Sequence, residues 1–213
     1  MNATYFFTDF DKQHVEYAQL ERLKAKGLFQ ACGFIGLYGN ASALAAVDLD
    51  AQNLSIWQTL SAYQEVYVCP SAAGRRGIDA APPNPPPRGL RWLSLAGMLE
   101  RMTPHDCEPQ AISVRLSSDS DLARTEALEL CLAALALDFD VQLSLRGPGI
   151  LGLQRSLARA GAKGYASLTM FGLAYALIAQ KEISALPFTL LPESLSLPWQ
   201  LGEAVQVPLM FEF

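Results

Sequence analysis

Two histidines, His14 and His105, are all that this chain of 213 residues contains, and neither sits in a recognisable motif. That scarcity excludes a histidine-based metal site and leaves no Ser-His-Asp arrangement to be read. The four cysteines, Cys32, Cys69, Cys107 and Cys131, are far apart and form no Cys-x-x-Cys pair, so no zinc site is implied. Charge is scarce too: Asp, Glu, Lys and Arg make up 17% of the residues against 51% hydrophobic ones. So lean a surface points to apolar area buried against another subunit. The net charge of −5 argues against nucleic acid as the main direct partner, because phosphate binding needs a basic face. No Gly-Lys-Ser/Thr occurs, so no phosphate loop of that kind is read.

Met1–Asp9 carries no basic stretch and no apolar run of the kind that directs export. The expectation is a cytoplasmic protein with free thiols and no disulfides. One run invites a membrane test: Gly164–Gln180 holds seventeen residues without a charge. That is the lower limit for a spanning helix, and Ser167, Thr169, Tyr175 and Gln180 dilute it. It reads instead as a buried helix, and no membrane association is expected.

The chain reads as two α/β units of similar length, residues 1–109 and 110–213. In the first, a strand near Thr4–Phe7 leads to an amphipathic helix from Asp11 to Gly27, with Asp11 and Gly27 as its caps. Further strands are expected at Ala31–Tyr38, before Cys69, and at Trp92, with a helix near Leu54–Tyr63 between the first two. In the second, Ala111–Leu116 and Val141–Leu145 read as strands around an apolar helix, Leu122–Leu137, that contains Cys131. A helical stretch through Met170–Ala179 and closing strands at Phe188–Leu191 and Val205–Phe211 follow. Leu37-Tyr38-Gly39 and Leu145-Arg146-Gly147 occupy the same place in their units. Gly36–Gly39 and Gly147-Pro148-Gly149 read as plain turns at strand ends. A strand–helix–strand rhythm with short connections predicts mainly parallel sheets flanked by helices.

Cys69 is the candidate reactive residue. Glu65–Val68 reads as a strand and Pro70 as the first residue of a helix, so the thiol faces a helix N-terminus, which favours a thiolate. Arg75 and Arg76 follow and add positive potential. The alternative is an inert cysteine closing a strand, since free cysteine is among the most buried residue types. Cys32 and Cys131 read as core, and Cys107 has acidic neighbours that disfavour a nucleophile. A run with five of the thirteen prolines, Ala80–Gly89, follows the cysteine segment. It reads as a stiff extended loop or as a docking edge for a partner, prolines 82–87 being central to both.

Cys69-Pro-Ser-Ala-Ala-Gly-Arg-Arg-Gly77 resembles, without gaps, the segment around the active cysteine of the TusD/DsrE sulfur-relay subunits. Leu93–Glu100 is similar to that family's next block, a strand running into a helix that starts at a glycine. The second half, through Leu122–Gly152 and Leu168–Phe213, looks like the sister TusC/DsrF subunits. The resemblance implies a natural fusion: two tandem DsrE/F-like units, the first carrying Cys69 and the second lacking a cysteine at the corresponding position, in Leu190–Leu195. It further implies a persulfide on Cys69, stabilised by Arg75 and Arg76 and exchanged with donor and acceptor proteins. Neither metal nor organic cofactor is needed. The destination is tRNA 2-thiolation or sulfur oxidation, and the sequence does not choose. The departures from the family, Pro70 among them, keep a non-catalytic assembly or binding protein open. In the resembled family the two kinds of subunit pack side by side, so the halves are expected to pair and chains to associate further as a homodimer or larger oligomer. Light scattering at micromolar concentration should report a mass above that of one chain.

Overall fold

The structure, a computed structural model, describes residues 3–26, 32–61, 65–79, 87–102, 111–157, 165, 167–179, 181, 199–202 and 209–213. The chain divides into two units, Met1–Met102 and Thr103–Phe213. Each is α/β, with a sheet in which every strand pair described is parallel. No helix among the described residues is long and apolar enough to cross a membrane. The proline run up to Pro86, the Cys107 loop, the Phe188–Leu191 strand and Leu190–Leu195 lie outside the described residues.

The first unit runs β1 (Ala3–Phe7), α1 (Val15–Ala25), β2 (Cys32–Leu37), a 3-10 segment (Gly39–Ala45), α2 (Ala51–Leu60), β3 (Val66–Val68), α3 (Pro70–Gly74), β4 (Arg91–Trp92) and α4 (Leu95–Met102). Its strands lie in the order β1-β2-β3-β4. All three residues of β3 are buried, because helices cover both faces of a parallel sheet and no polar alternation survives. Phe7, Ile35, Leu37, Val66 and Val68 share one core with Leu20 and Leu23 of α1 and Ile56 and Leu60 of α2. On the other face Phe34 stacks on Tyr67 at 5.3 Å, and Met98 of α4 packs beside Phe6, Phe34 and Gly36.

Local capping moves several element ends. His14, not Asp11, is the N-cap of α1: its Nδ1 accepts from the Glu16 N–H. Asp11 instead accepts from Gln13 N at 2.8 Å in a side-chain turn one step earlier. Lys26 closes the helix, and Gly27 is outside the described residues. Asp50 caps α2, so that helix begins before Leu54 and stops at Leu60. Ser94 Oγ accepts from Gly97 N at 3.1 Å, so α4 opens two residues ahead of its glycine. Arg88 donates to the carbonyls of Leu44, Ala46 and Val47 and lies 5.9 Å over the Trp57 ring, tying its segment to the end of the 3-10 helix.

The second unit runs β5 (Ala111–Leu116), α5 (Asp121–Leu135), β6 (Asp140–Leu145), α6 (Gly147–Leu157), a 3-10 turn (Leu168–Phe171), β7 (Ala176–Ile178), β8 (Trp199–Leu201) and β9 (Leu209–Glu212). The order β8-β7-β6-β5-β9 puts the last strand on the far side of the first. Two expectations fail here. Gly147-Pro148-Gly149 is no turn but the opening of α6, where proline's missing N–H costs nothing. The stretch Gly164–Gln180 is not one buried helix: among its described residues Tyr165 and Ser167 are helical, a 3-10 turn follows, Gly172 ends it at φ +103°, and Ala176–Ile178 pairs with Leu143–Leu145 as a strand. The ladder to β6 outweighs helix periodicity over so short an apolar run.

A Cβ built on Gly149 would stand 2.2 Å from the backbone oxygen of Leu116. The start of α6 can therefore approach the end of β5 only as glycine. Gly149→Ala should lower stability by about 2 kcal/mol or more, read from the midpoint of urea unfolding.

Candidate active site at the strand ends

The register of the first sheet brings four strand ends level. Phe7 pairs with Leu37, Leu37 with Val68, and Val68 with Trp92. The next residues, Thr8, Tyr38, Cys69 and Leu93, form the row just beyond the carboxyl edge. The ladder continues into that row, with Tyr38 N bonded to Phe7 O (2.9 Å), Cys69 N to Leu37 O (3.0 Å) and Leu93 N to Val68 O (3.1 Å). The carboxyl edge is where parallel α/β sheets present their functional loops.

Cys69 is the N-cap residue of α3, and its carbonyl accepts from Ala73 N at 3.0 Å. Pro70 occupies the first turn, as its fixed φ favours. The sulfur lies 3.1 Å from Ser71 Oγ, close enough for either group to donate. Cys69 is only 1% exposed. It continues an interior strand and lies against the buried Ala72 and Ala73, so the sheet encloses it. The helix it caps spans just five residues, which limits the dipole at the sulfur.

Arg75 and Arg76 are both held near this edge, but the bonds described for them run to other groups. Arg75 Nη2 donates to Tyr38 Oη at 3.4 Å. Arg76 Nη1 donates to Ala72 O at 2.9 Å and its Nη2 to Asn40 Oδ1 at 2.7 Å. Asn40 Nδ2 in turn donates to Asp9 Oδ2 at 2.7 Å. A polar chain thus links the ends of β1, β2 and the α3 turn.

Below that chain lies a residue that the sequence reading missed. Glu16, 3% exposed, accepts from Thr8 Oγ1 at 2.7 Å, from Asp9 N at 3.0 Å and from Thr8 N. Burial pushes its carboxyl up to about 7, against the downward pull of those hydrogen bonds. Its position carried a signal: Glu16 is four residues before Leu20 and seven before Leu23, on the apolar face of α1.

The second sheet repeats the level row: Leu116 with Leu145, Leu145 with Ile178, Ile178 with Leu201. Leu37 and Leu145 end corresponding strands, so Tyr38 corresponds to Arg146. The residue following the third strand is Ala179, which corresponds to Cys69 by topology. Leu190–Leu195, where the resemblance placed the counterpart, lies outside the described residues. Cys131 is fully buried in α5, and burial pushes its thiol up to about 12, which makes it inert core. Cys69 and Cys131 are free thiols. Among the described residues no group of three or more His, Cys, Asp or Glu could hold a metal ion.

Compared with protein-family models, with curated proteins and with solved structures, the chain matches none.

The Glu16 carboxyl has a directional consequence. Its folded value, about 7, lies above the ordinary 4.5, so the proton is bound more tightly in the folded chain. The stability it contributes is complete below about 4.5 and is lost as pH rises through about 7. Glu16→Gln should flatten that decline, which is on the order of 1–3 kcal/mol, in urea unfolding measured across the interval.

Proposed function

We infer that this chain is a sulfur carrier that holds a persulfide on Cys69. The observation that carries the reading is the setting of Cys69: the last residue before a proline-opened helix, at the carboxyl edge of a parallel sheet, with a hydroxyl at 3.1 Å from its sulfur. The likeness of Cys69–Gly77 to the TusD/DsrE active segment supports the same assignment. The Cys69 thiolate attacks the outer sulfur of a donor persulfide. A sulfur–sulfur bond forms at Cys69 while the donor's own breaks, and the donor leaves as a thiolate. A thiolate on the acceptor protein then attacks the outer sulfur and releases Cys69 as it began. No net oxidation occurs, so the exchange calls for no redox cofactor.

Arg75 and Arg76 supply positive potential at this edge, and Ser71 Oγ can donate to a sulfur anion. With Cys69 1% exposed, donor and acceptor reach it only when the α3 turn opens. That short helix, held partly by the Arg76 to Asn40 bond, is the element whose opening exposes the sulfur. The destination is tRNA 2-thiolation or sulfur oxidation. The same burial favours a second reading, in which the chain is a non-catalytic assembly or binding protein and Cys69 is core.

Incubation with a cysteine desulfurase and cysteine, followed by peptide mass spectrometry, separates the two. The carrier should gain the mass of one sulfur atom on the Cys69 peptide, and Cys69→Ser should abolish the gain. An unmodified Cys69 in a folded, desulfurase-treated sample would leave the binding-protein reading standing alone.

A further inference from the structure

On the sheet face turned away from the main core of the first unit, two arginines converge on one buried phenol. Tyr67 alternates with Val66 and Val68, which point into that core, so its ring stands on the opposite face beside Phe34. Arg91 is its register partner on β4 and shares that face. Arg101 reaches the same ring from the last turn of α4. Arg101 Nη1 donates to Tyr67 Oη at 2.9 Å with its guanidinium 4.6 Å over the ring. Arg91 Nη1 reaches the same oxygen at 3.5 Å, its guanidinium 5.9 Å from the ring centre.

The charge and donor balance of this cluster is incomplete. Arginine only donates, so the Tyr67 oxygen accepts from both sides and its own O–H remains to be given. Among the described residues nothing accepts it, although Tyr67 is only 4% exposed. Glu65 lies 3.6 Å from Arg101, and both side chains are nearly half exposed. Arg91 is exposed and has no carboxylate partner among the described residues. Two like charges within reach of a single oxygen repel each other unless an anion sits between them.

We propose that Tyr67, Arg91 and Arg101 form a binding site for a tetrahedral oxyanion of the phosphate class. The donors come from two strands and a helix, so their N–H and O–H groups can approach an anion from different directions. Three oxygens of a tetrahedral anion can each meet one of them, whereas a carboxylate offers only two in a single plane. The aromatic faces of Phe34 and Tyr67 under Arg101 preorder its long side chain, which lowers the entropy lost on binding. The chain's net charge of −5 means that the site recruits its anion through local geometry and not through a general positive field. It is independent of the sulfur-carrier reading, since it lies on a different part of the sheet from the row that holds Cys69.

The test is titration of the full chain with inorganic phosphate at constant ionic strength, followed by calorimetry and phosphorus NMR. A single phosphate should bind, and Arg91→Gln and Tyr67→Phe should each weaken it by about tenfold. Tyr67→Phe keeps the ring under the arginines and removes only the hydroxyl, so it isolates the donor from the packing. O-phosphoserine in a parallel arm identifies the source: tighter binding than phosphate supports a phosphorylated ligand, and weaker binding supports the free ion. No binding of phosphate by the folded chain, equal affinity for acetate, or unchanged affinity in both variants would overturn the proposal.

Discussion

The level ends of the parallel strands are the constraint on which the first unit depends. Parallel pairing forces every connection to cross back over the sheet, so helices cover its faces and all functional loops leave from one edge. Because Phe7, Leu37, Val68 and Trp92 stand in register, Thr8, Tyr38, Cys69 and Leu93 are neighbours in space although 85 residues separate the first from the last. The polar chain from Glu16 and Thr8 through Asp9 and Asn40 to Arg76 exists only because of that alignment.

Burial and reactivity oppose each other at Cys69. The ladder bond from Cys69 N to Leu37 O fixes the residue inside the sheet edge and leaves it 1% exposed. The elements able to relieve the burial are small: α3 has five residues, and Arg76 bridges it to Asn40 across the edge.

The two units share a four-strand parallel order and diverge at the edge. In the second, Arg146 and Ala179 stand where the first has Tyr38 and Cys69, and β9 adds a strand beside β5. There the Phe213 carbonyl accepts from Ser117 N (2.6 Å) and Ser118 N (3.0 Å), and Arg115 pairs with Glu212 at 3.3 Å. A thiol is absent from the corresponding place, and the edge is braced instead.

Much of the architecture was legible in the residues. Apolar runs bounded by caps marked β2, β5, α5 and β6, because local patterning suffices where an element is long and strongly apolar. The Pro70 junction marked Cys69 for the same local reason. Legibility failed where a neighbour decides. Ala176–Ile178 is a strand because β6 pairs with it, and Gly147–Gly149 starts a helix because β5 admits only glycine at that approach. His14, not Asp11, caps α1, and Glu16 in its first turn bonds inward to Thr8. Composition and sequence determined that the chain builds parallel α/β sheets and that one cysteine sits between a strand and a helix. Only the tertiary structure decided that this cysteine is enclosed, that Ala179 is its counterpart, and that Tyr67, Arg91 and Arg101 meet. Those facts rest on register and on which faces are covered, and both come from contacts between residues distant in the chain.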